Sequence, residues 1–588
     1  MVKFYYQIKG EFFVRLTKFS VTNYKVFKDT FTINFSNDSI AILTGRNNTG
    51  KSTILEAINC FFQKESKAKS IPNDCFSERG KKIILEAVFE SGEEKINILK
   101  KYKEEAAPSF YDENGTEIKA SHDLKDTLEK ILNNKPFYIT PSMLPDDIND
   151  LIQNIYSEII KNDLQKLEDF NGDPEGEKEV YQLSKEYSEI RKAYPEFLRK
   201  LKLSTDKLLE QVSSDVSENL RILFSNEHLS LNVVGGESEG FSSSDILKST
   251  NSSVHIDSNK QSGMPLANQG TGLQRMSLIY LIQNMIEKKL MGESDDKLLL
   301  IDEPEAFLHP EAVRALSRSL YKIGEKMPLM ISTHSPILID LSERHTSIQV
   351  FRVGEKEAIQ LYQSISENFD ENDIKNMRIL NYVDSYVNEF FFTDRVVIVE
   401  GDTEYIAFKH LAKLRNENVH IIRARGKATI GTLMKILNQF NSSYDVLHDV
   451  DNHPKHSSKT LKAQLTNCKN IVKLKVNNDI RVFCSISNFE NAIGIGDVSN
   501  DKKTQTIYEI LHETSEGEYD EARRLVENIY EQIINRNDEK TLDVGFRRIN
   551  KEEEYEDLFA GLIEQKVYEE AEEKKKEREE KEKVGSLQ

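Results

Sequence analysis

Hydrophobic and polar residues alternate with a period of two through VRLTKFSV (14–21), FTINF (31–35) and SIAIL (39–43), which predicts three short strands rich in β-branched and aromatic residues. The period then lengthens: Ile54, Leu55, Ile58 and Phe62 recur at helical spacing and predict a helix over Ser52–Phe62. From about 120 to 235 the chain is rich in Lys, Glu, Leu and Tyr, as in LSKEYSEIRKAYPEFLRKLKL, and predicts a helical insertion. A short antiparallel arm and a helical subdomain with solvated charged faces explain that pattern equally well. Residues Gly235–Gly263 are rich in Ser, Gly and Asn and lack a period, so they are expected to form a loop or linker. Regular structure resumes near Gly270 and ends in a strand at Ile348–Val353; 367–390 reads as a helical connector. A second α/β unit opens with the continuous apolar run Val396–Val399, and the tail from Lys551 reads as a charged helix. No internal repeat is present.

A chain of 588 residues is too long for one hydrophobic core. The expected division is an α/β unit built from 1–120 and 236–368, the insertion 121–235, the connector 369–390, a second α/β unit at 391–500 and a helical region at 501–588. No apolar run approaches the ~20 residues that span a bilayer, and the first residues lack the pattern of a secretory signal. Cys60, Cys75, Cys468 and Cys484 are far apart and form no CxxC pair, which points to a reducing cytoplasm and away from a zinc site. The net charge of −19 gives no global support for nucleic-acid binding, so any such contact needs local basic patches.

Chemistry first enters at Gly45-Arg46-Asn47-Asn48-Thr49-Gly50-Lys51-Ser52, which fits G-x-x-x-x-G-K-[ST] between an expected strand and an expected helix. Backbone amides from Gly45, Asn47, Asn48, Gly50 and Thr53 would wrap the phosphates of ATP, Lys51 would reach the β and γ groups, and Ser52 would ligate Mg²⁺. Downstream, Leu298–Ile301 is an apolar run ending in Asp302 and Glu303. Beside a P-loop, Asp302 is the candidate to hold Mg²⁺ through water and Glu303 to polarise the attacking water. Taken alone, the segment also fits a buried strand ending in a solvated acidic turn.

These motifs resemble the ABC/SMC ATPases. Glu305–Pro310 looks like that family's D-loop and Ile331–Pro336 like its switch-histidine segment, with His334 expected at the γ-phosphate. Asn268–Arg275 stands where the family places its signature motif but departs from Ser-Gly-Gly-Gln. The resemblance implies that Gly270 and Gly272 cap ATP bound to a second copy, in a head-to-tail homodimer. No glutamine stands out as a Q-loop.

The ATPase motifs leave the last third of the chain unexplained. Val396–Val399 ends in Glu400, followed by Gly401 and a helix start bearing Glu404; Tyr444–Asp451 is a second run ending in Asp449-x-Asp451. Residues two apart on an extended chain share a side, so Asp449 and Asp451 could converge on one hard cation, Mg²⁺ or Mn²⁺. Each acid group alone also fits a helix cap or a solvated turn. Together they resemble the Toprim fold, and Glu490 in Ser485–Glu490 stands where Toprim nucleases carry one more acid. An ABC-type ATPase followed by a Toprim domain resembles the OLD (overcoming lysogenization defect) family of nucleases, which includes Gabija and retron-associated members.

The fold class implied is α/β: a P-loop ATPase with a helical insertion, then a Toprim domain and a helical C-terminal part. The activity implied is ATP-regulated cleavage of DNA by two divalent ions shared among Glu400, Glu404, Asp449, Asp451 and Glu490, aided by a late basic residue for which Arg547, Arg548 and Lys551 are candidates. Gly426–Thr429 resembles a glycine-containing loop of the family, and Arg423, Arg425 and Lys427 form either a phosphate-holding patch or a solvated loop. The partners implied are DNA, a homodimer or a higher assembly, and a helicase-like or retron partner, in defence against phage. An ATP-gated clamp or recombination mediator with an inactive Toprim unit is the competing reading. A topoisomerase or primase is a weaker one, for want of room for the further domain each needs.

Overall fold

A computed structural model of the chain describes residues 15–585 apart from 36–39, 46, 65–70, 92–93, 142–149, 151, 154–181, 183–193, 235–252, 259–260, 289–296, 341–347, 355–357, 364–369, 374, 377, 379–384, 394, 439–442, 497, 500, 513–516, 518 and 537–540. The expectations for 1–14, Arg46, 235–252, 379–384 and most of 142–193 lie outside the described residues. The chain divides into two compact units, the first ending near Gln360 and the second running from Leu361 to the C-terminus.

The first unit opens with β1 (Arg15–Thr22), β2 (Phe31–Asn34), β3 (Ile40–Thr44) and α1 (Lys51–Phe62). Next come β4 (Ile83–Ser91), β5 (Glu94–Tyr102), β6 (Ser109–Tyr111), α2 (Lys125–Asn133), β7 (Phe137–Ile139) and α3 (Tyr194–Phe224). It continues through β8 (Ser230–Val234), β9 (Ser253–Ser258), β10 (Gln261–Pro265), α4 (Thr271–Glu287) and β11 (Leu299–Asp302). The last elements are α5 (Pro310–Gly324), β12 (Leu329–Ser332), β13 (Ile348–Val353) and β14 (Ala358–Gln363).

A six-stranded sheet in the order β14-β13-β3-β12-β11-β7 carries the central strands. β3 lies parallel to β12 and β13, and β11 parallel to β12 and β7. Strands covered on both faces read as unbroken apolar runs, and every residue of β3, β11 and β12 is buried. A five-stranded sheet, β2-β1-β4-β5-β6, is antiparallel, with Phe19, Val21, Leu85, Ala87 and Ile98 turned inward. α1 joins the two: its Ile54, Ile58 and Phe61 share one core with residues of the antiparallel sheet and with Leu300 and Met330 of the parallel one.

Two departures from the sequence pattern concern this unit. β7, inside the region expected to be a helical insertion, is an edge strand of the main sheet, registered with Leu299–Ile301. Its three residues are too few to display a period. β9 and the start of β10 fall where a loop was expected; β9 pairs with β10 on one side and with β8 on the other. Val254 and Ile256 alternate with polar residues and are buried, a signal masked by the serines and asparagines around them.

The second unit is built on β15 (Val396–Val399), α6 (Asp402–Leu414), β16 (His420–Arg423), α7 (Lys427–Leu437), β17 (Tyr444–Asp449), α8 (Ser458–Lys473) and β18 (Arg481–Ser485). Then follow α9 (Phe489–Ala492), α10 (Lys503–His512), α11 (Asp520–Asn535), β19 (Phe546–Ile549), α12 (Glu553–Phe559) and α13 (Leu562–Gly585). The sheet order is β16-β15-β17-β18-β19. Its first four strands are mutually parallel, and β19 is antiparallel to β18.

The region expected to be wholly helical after residue 500 therefore supplies a strand of this sheet. Gly545 makes that return close, since a Cβ there would stand 2.3 Å from Ala492 O. Val397, Val399, Phe408 and Leu411 pack with Ile507, Ile510, Val526 and Ile533 of α10 and α11. Asp445, an acid within β17, is neutralised by Arg481 Nε at 2.8 Å, and both side chains are buried. It is a structural ion pair. Among the described residues, no helix is long and apolar enough to cross a membrane.

Candidate nucleotide and metal sites

Between β3 and α1 the chain reverses through a tight turn. Gly45, Asn48 and Gly50 have φ of 139°, 65° and 100°, so the turn needs residues that tolerate the left-handed region. At Gly50 a side chain is also excluded by space, because a Cβ would lie 2.4 Å from Phe27 Cζ. The turn delivers Lys51, Ser52 and Thr53 into the first turn of α1, where free N–H groups and the helix dipole favour an anion. Lys51 Nζ donates to Gly45 O at 3.2 Å, folding the side chain back over the loop. Burial holds its pKa below the usual lysine range, against the opposing pull of Glu303 and Asp302.

β11 brings Asp302 to the same edge. Its Oδ1 accepts from Ser332 Oγ, and Ser52 also hydrogen-bonds to the carboxylate, as expected of two groups that share one cation. Burial raises the pKa of Asp302. Glu303 follows with a φ of 43°, its N–H bonded to Ser332 O at 3.0 Å, and its Oε1 lies 3.7 Å from His334 Nε2. Burial, then Lys51, lowers the pKa of His334 and favours the neutral ring.

Sequence reasoning missed the part of Glu305. Its Oε1 accepts from Thr333 Oγ1 at 2.6 Å and from His334 N at 2.8 Å, tying the loop after β11 to the histidine loop after β12. Gly270 caps α4, and Gly272 packs so closely that a Cβ would meet Phe307 O and Leu308 Cδ2 at 3.2 Å. Arg275 on the same helix donates through Nη1 to Glu303 O at 3.0 Å and Ala306 O at 2.8 Å. The signature-like segment is thereby fastened to the loop that carries Glu303.

In the second unit, Glu400, Arg423, Asp449 and Ser485 all stand at the carboxyl ends of parallel strands, the edge at which open α/β sheets gather ligands. Glu400 Oε2 accepts from Asp449 N at 3.1 Å. Glu404, in the first turn of α6, is buried, and its Oε2 lies where a Cβ on Gly401 would be only 2.8 Å away, so the glycine leaves room for the carboxylate. Glu490 Oε1 accepts from Thr403 Oγ1 at 2.9 Å and its Oε2 from Lys503 Nζ at 3.0 Å.

Asp451 is placed differently from the expectation. β17 ends at Asp449, and Asp451 lies beyond it with a φ of 57°, its N–H bonded to Ser487 O at 2.7 Å. The two aspartates are therefore not neighbours on one face of an extended strand. Lys427 Nζ contacts Asp451 and lies 3.4 Å from Glu400 Oε1, with its side chain only 4% exposed. Lys427 thus leaves the basic patch in which the sequence grouped it. Of that patch, Arg425 is exposed, and Arg423 contacts Asp402 and lies over the Tyr405 ring. Lys551 and Arg547 are exposed, and the late lysine that touches the carboxylates is Lys503, which no motif marks.

Electrostatically the cluster is short of positive charge. Burial, reinforced by Glu404, Glu400 and Asp451, raises Asp449 well above the usual carboxylate range, and its shielded Oδ1 has no hydrogen-bond partner. Burial likewise raises Glu400 and pushes Glu404 up to about 8. His448 lies behind the site: burial holds its pKa down at about 3, and the neutral ring bonds Asp449 O at 2.8 Å and Tyr555 Oη at 2.5 Å.

Among the described residues, no three His, Cys, Asp or Glu side chains meet at a point ready for an ion. The donor set nevertheless fits a divalent cation. It is all hard oxygen, it includes an orphaned buried carboxylate oxygen, and it has drawn in two ammonium groups.

The folded-state pKa of Glu404 exceeds its ordinary 4.5, so the folded chain holds a proton there that the unfolded chain releases between pH 4.5 and about 8. Metal-free protein should therefore lose stability as pH rises through that window, by on the order of a kcal/mol or more. Thermal midpoints in EDTA at pH 6 and pH 8 test this: a Glu404→Gln variant should flatten the decline, and an equal decline in both proteins would refute it.

Comparison with known proteins matches both units. A profile of the family described as "AAA domain, putative AbiEii toxin, Type IV TA system" covers residues 40–340, and one described as "Overcoming lysogenization defect protein-like, TOPRIM domain" covers residues 391–451. The chain belongs to the family of that AAA domain, and its second unit matches the OLD-like Toprim domain. It is similar to the Old nuclease of Escherichia phage P2, at 29% identity over 31% of this chain and 33% of that protein. It is similar also to the OLD nuclease of Thermus scotoductus, at 26% identity over 43% of this chain and 50% of the relative. The endonuclease GajA of Bacillus cereus matches at 31% identity over 24% of this chain and 23% of its own length. The matched region thus spans half or less of each of these relatives. Glu400, Glu404, Asp449 and Asp451 all fall inside the Toprim match.

Proposed function

We propose that this chain is an OLD-type nuclease, an ATP-regulated, divalent-metal-dependent DNA endonuclease acting in defence against phage. The observation that carries the reading is the buried carboxylate cluster at the carboxyl edge of the second sheet, in one chain with a P-loop, Asp302–Glu303 and His334. The names of the relatives as nucleases support it. In the first unit, Lys51 and the N–H groups opening α1 bind the nucleotide phosphates, Ser52 and Asp302 hold its Mg²⁺, and Glu303 orients the attacking water while His334 touches the γ-phosphate.

In the second unit, Glu400, Glu404, Asp449 and Asp451 hold Mg²⁺ or Mn²⁺, two ions when full, with Glu490 positioned by Lys503 beside them. The ions supply a water activated at neutral pH and charge neutralisation for the leaving oxygen. Glu404 and Asp449 give up protons as metal enters, so affinity should rise with pH. Arg425 and Arg423 are placed to steady a backbone phosphate at the same edge.

A homodimer joined through the first units is part of this reading, with a higher assembly and a helicase-like or retron partner as its extensions. Its support is the exposed loop after Glu303: Phe307 is 73% exposed and backed by Arg275, an apolar tip suited to a second copy. The alternative, an ATP-gated DNA clamp with an inactive second unit, is favoured by one observation only, the lysines lodged among the carboxylates.

Plasmid DNA incubated with Mg²⁺ or Mn²⁺, with and without ATP, tests the main reading. Cleavage should depend on metal, change with ATP and vanish in a variant carrying Asp449→Ala and Asp451→Ala. Absence of cleavage in every combination, or equal cleavage by the variant, would sink it.

A further inference from the structure

Lys427 is left unused by the reaction just described, yet it is among the most constrained charged groups in the second unit. Gly426, with a φ of 127°, turns the chain into α7 so that Lys427 is the first residue of the helix. That is an unfavourable place for a cation, because the helix dipole puts partial positive charge there. Something else must hold the ammonium group, and the contacts name it: Asp451, and Glu400 Oε1 at 3.4 Å. The side chain is 4% exposed, against 17% for Glu400 and 28% for Asp451, so the lysine lies deeper than either partner. A lysine placed to grip a DNA phosphate would present its amino group outward. This one points it into the acids.

An ammonium group and a hard divalent cation ask for the same surroundings, a ring of carboxylate oxygens. We propose that Lys427 is the resident counter-cation of the carboxylate site, occupying Glu400 and Asp451 until a divalent ion enters by displacing it. This rests on the reading of the carboxylates as a metal site. The displacement sets metal affinity lower than the acids alone would give, and it lets the metal-free chain stay folded with several acids close together. Asp449 Oδ1, shielded and without a hydrogen-bond partner, is an oxygen of the site that the lysine does not neutralise.

The test is Mn²⁺ binding by the full chain, read as free Mn²⁺ by electron paramagnetic resonance, together with thermal midpoints in EDTA. Lys427→Met keeps the length of the side chain and removes its charge. It should bind Mn²⁺ about tenfold more tightly than the unaltered protein and melt lower without metal. Lys409→Met, which removes a charge on α6 that lies over Tyr405, should change affinity less than about twofold and so measures the general field effect. Equal or weaker Mn²⁺ binding by Lys427→Met than by Lys409→Met overturns the proposal.

If the unaltered chain shows no Mn²⁺ binding that Asp449→Asn removes, the metal-site reading itself fails, a result distinct from the one above. A second measurement needs no variant at position 427. Acetylation of the intact protein, followed by mass spectrometry of the peptide containing Lys427, should proceed severalfold faster in Mn²⁺ than in EDTA as the amino group is released. An unchanged or slower rate overturns the displacement.

Discussion

Replacing Glu303 by glutamine is expected to slow ATP turnover by roughly two to four orders of magnitude, the range lost when a positioned general base is removed, while nucleotide affinity stays within a few-fold. The expectation comes from how the side chain is held. Its backbone is fixed in the left-handed region by Ser332 O on one side and by Arg275, which grips Glu303 O, on the other. The carboxylate therefore projects from a rigid point, 3.7 Å from the His334 ring.

Glutamine preserves that shape and volume, so the loop, Arg275 and His334 have no reason to move. What disappears is the charge that orients and polarises a water. Lys51 and Ser52, the residues proposed to hold the phosphates and their Mg²⁺, lie on α1 and are untouched, so binding should persist. Phosphate release and binding of a fluorescent ATP analogue, measured on the same preparation, decide the matter. Unchanged turnover, or a loss of binding as large as the loss of turnover, would remove Glu303 from the role assigned to it. If ATP governs cleavage, this variant also offers a long-lived ATP-bound state in which nicking of plasmid should differ from that of the unaltered chain.

Much of this site was legible in the sequence because its signals are local. Gly45 and Gly50 mark a turn that L-residues resist, Lys51 and Ser52 must open a helix, and Leu299–Asp302 is an apolar run closed by an acid; each is set by neighbours within a few positions. The relations that escaped join distant segments. Glu305 binding His334 N depends on two loops that meet only because β11 and β12 are parallel neighbours. Lys503 reaches Glu490 from a helix whose own sequence carries no mark of a site. β7 and β19 are three and four residues long, below the length at which alternation is visible, and owe their existence to a sheet edge waiting for them. Asp451 shows the reverse error: the Asp-x-Asp spacing is real, but the strand stops two residues short of Asp451, so the period of two does not apply.

The second large effect concerns Asp449, where one substitution should move stability and activity in opposite directions. Asp449→Asn is expected to reduce cleavage by at least ~100-fold, the scale on which loss of one preorganised electrostatic group slows a reaction, and to abolish the thermal stabilisation that Mn²⁺ gives. Without metal, however, the same variant should be more stable than the unaltered protein, by about 1–2 kcal/mol.

The reason is the sign of the local field. Burial, with Glu404, Glu400 and Asp451 alongside, makes the ionised form of Asp449 costly, and its Oδ1 has no compensating donor. Its folded-state pKa lies above the ordinary 3.8, so the penalty grows as pH rises past that value and is smaller where the acid is itself protonated. An amide of the same shape carries none of that charge. The gain in thermal midpoint in EDTA should accordingly be larger at pH 8 than at pH 5. A variant that melts lower than the unaltered chain in EDTA at pH 8 would show that Asp449 is held for structure, and one that still cleaves DNA would show that the metal is held elsewhere. Enhanced stability together with lost cleavage is the signature of a residue kept for the ion it awaits.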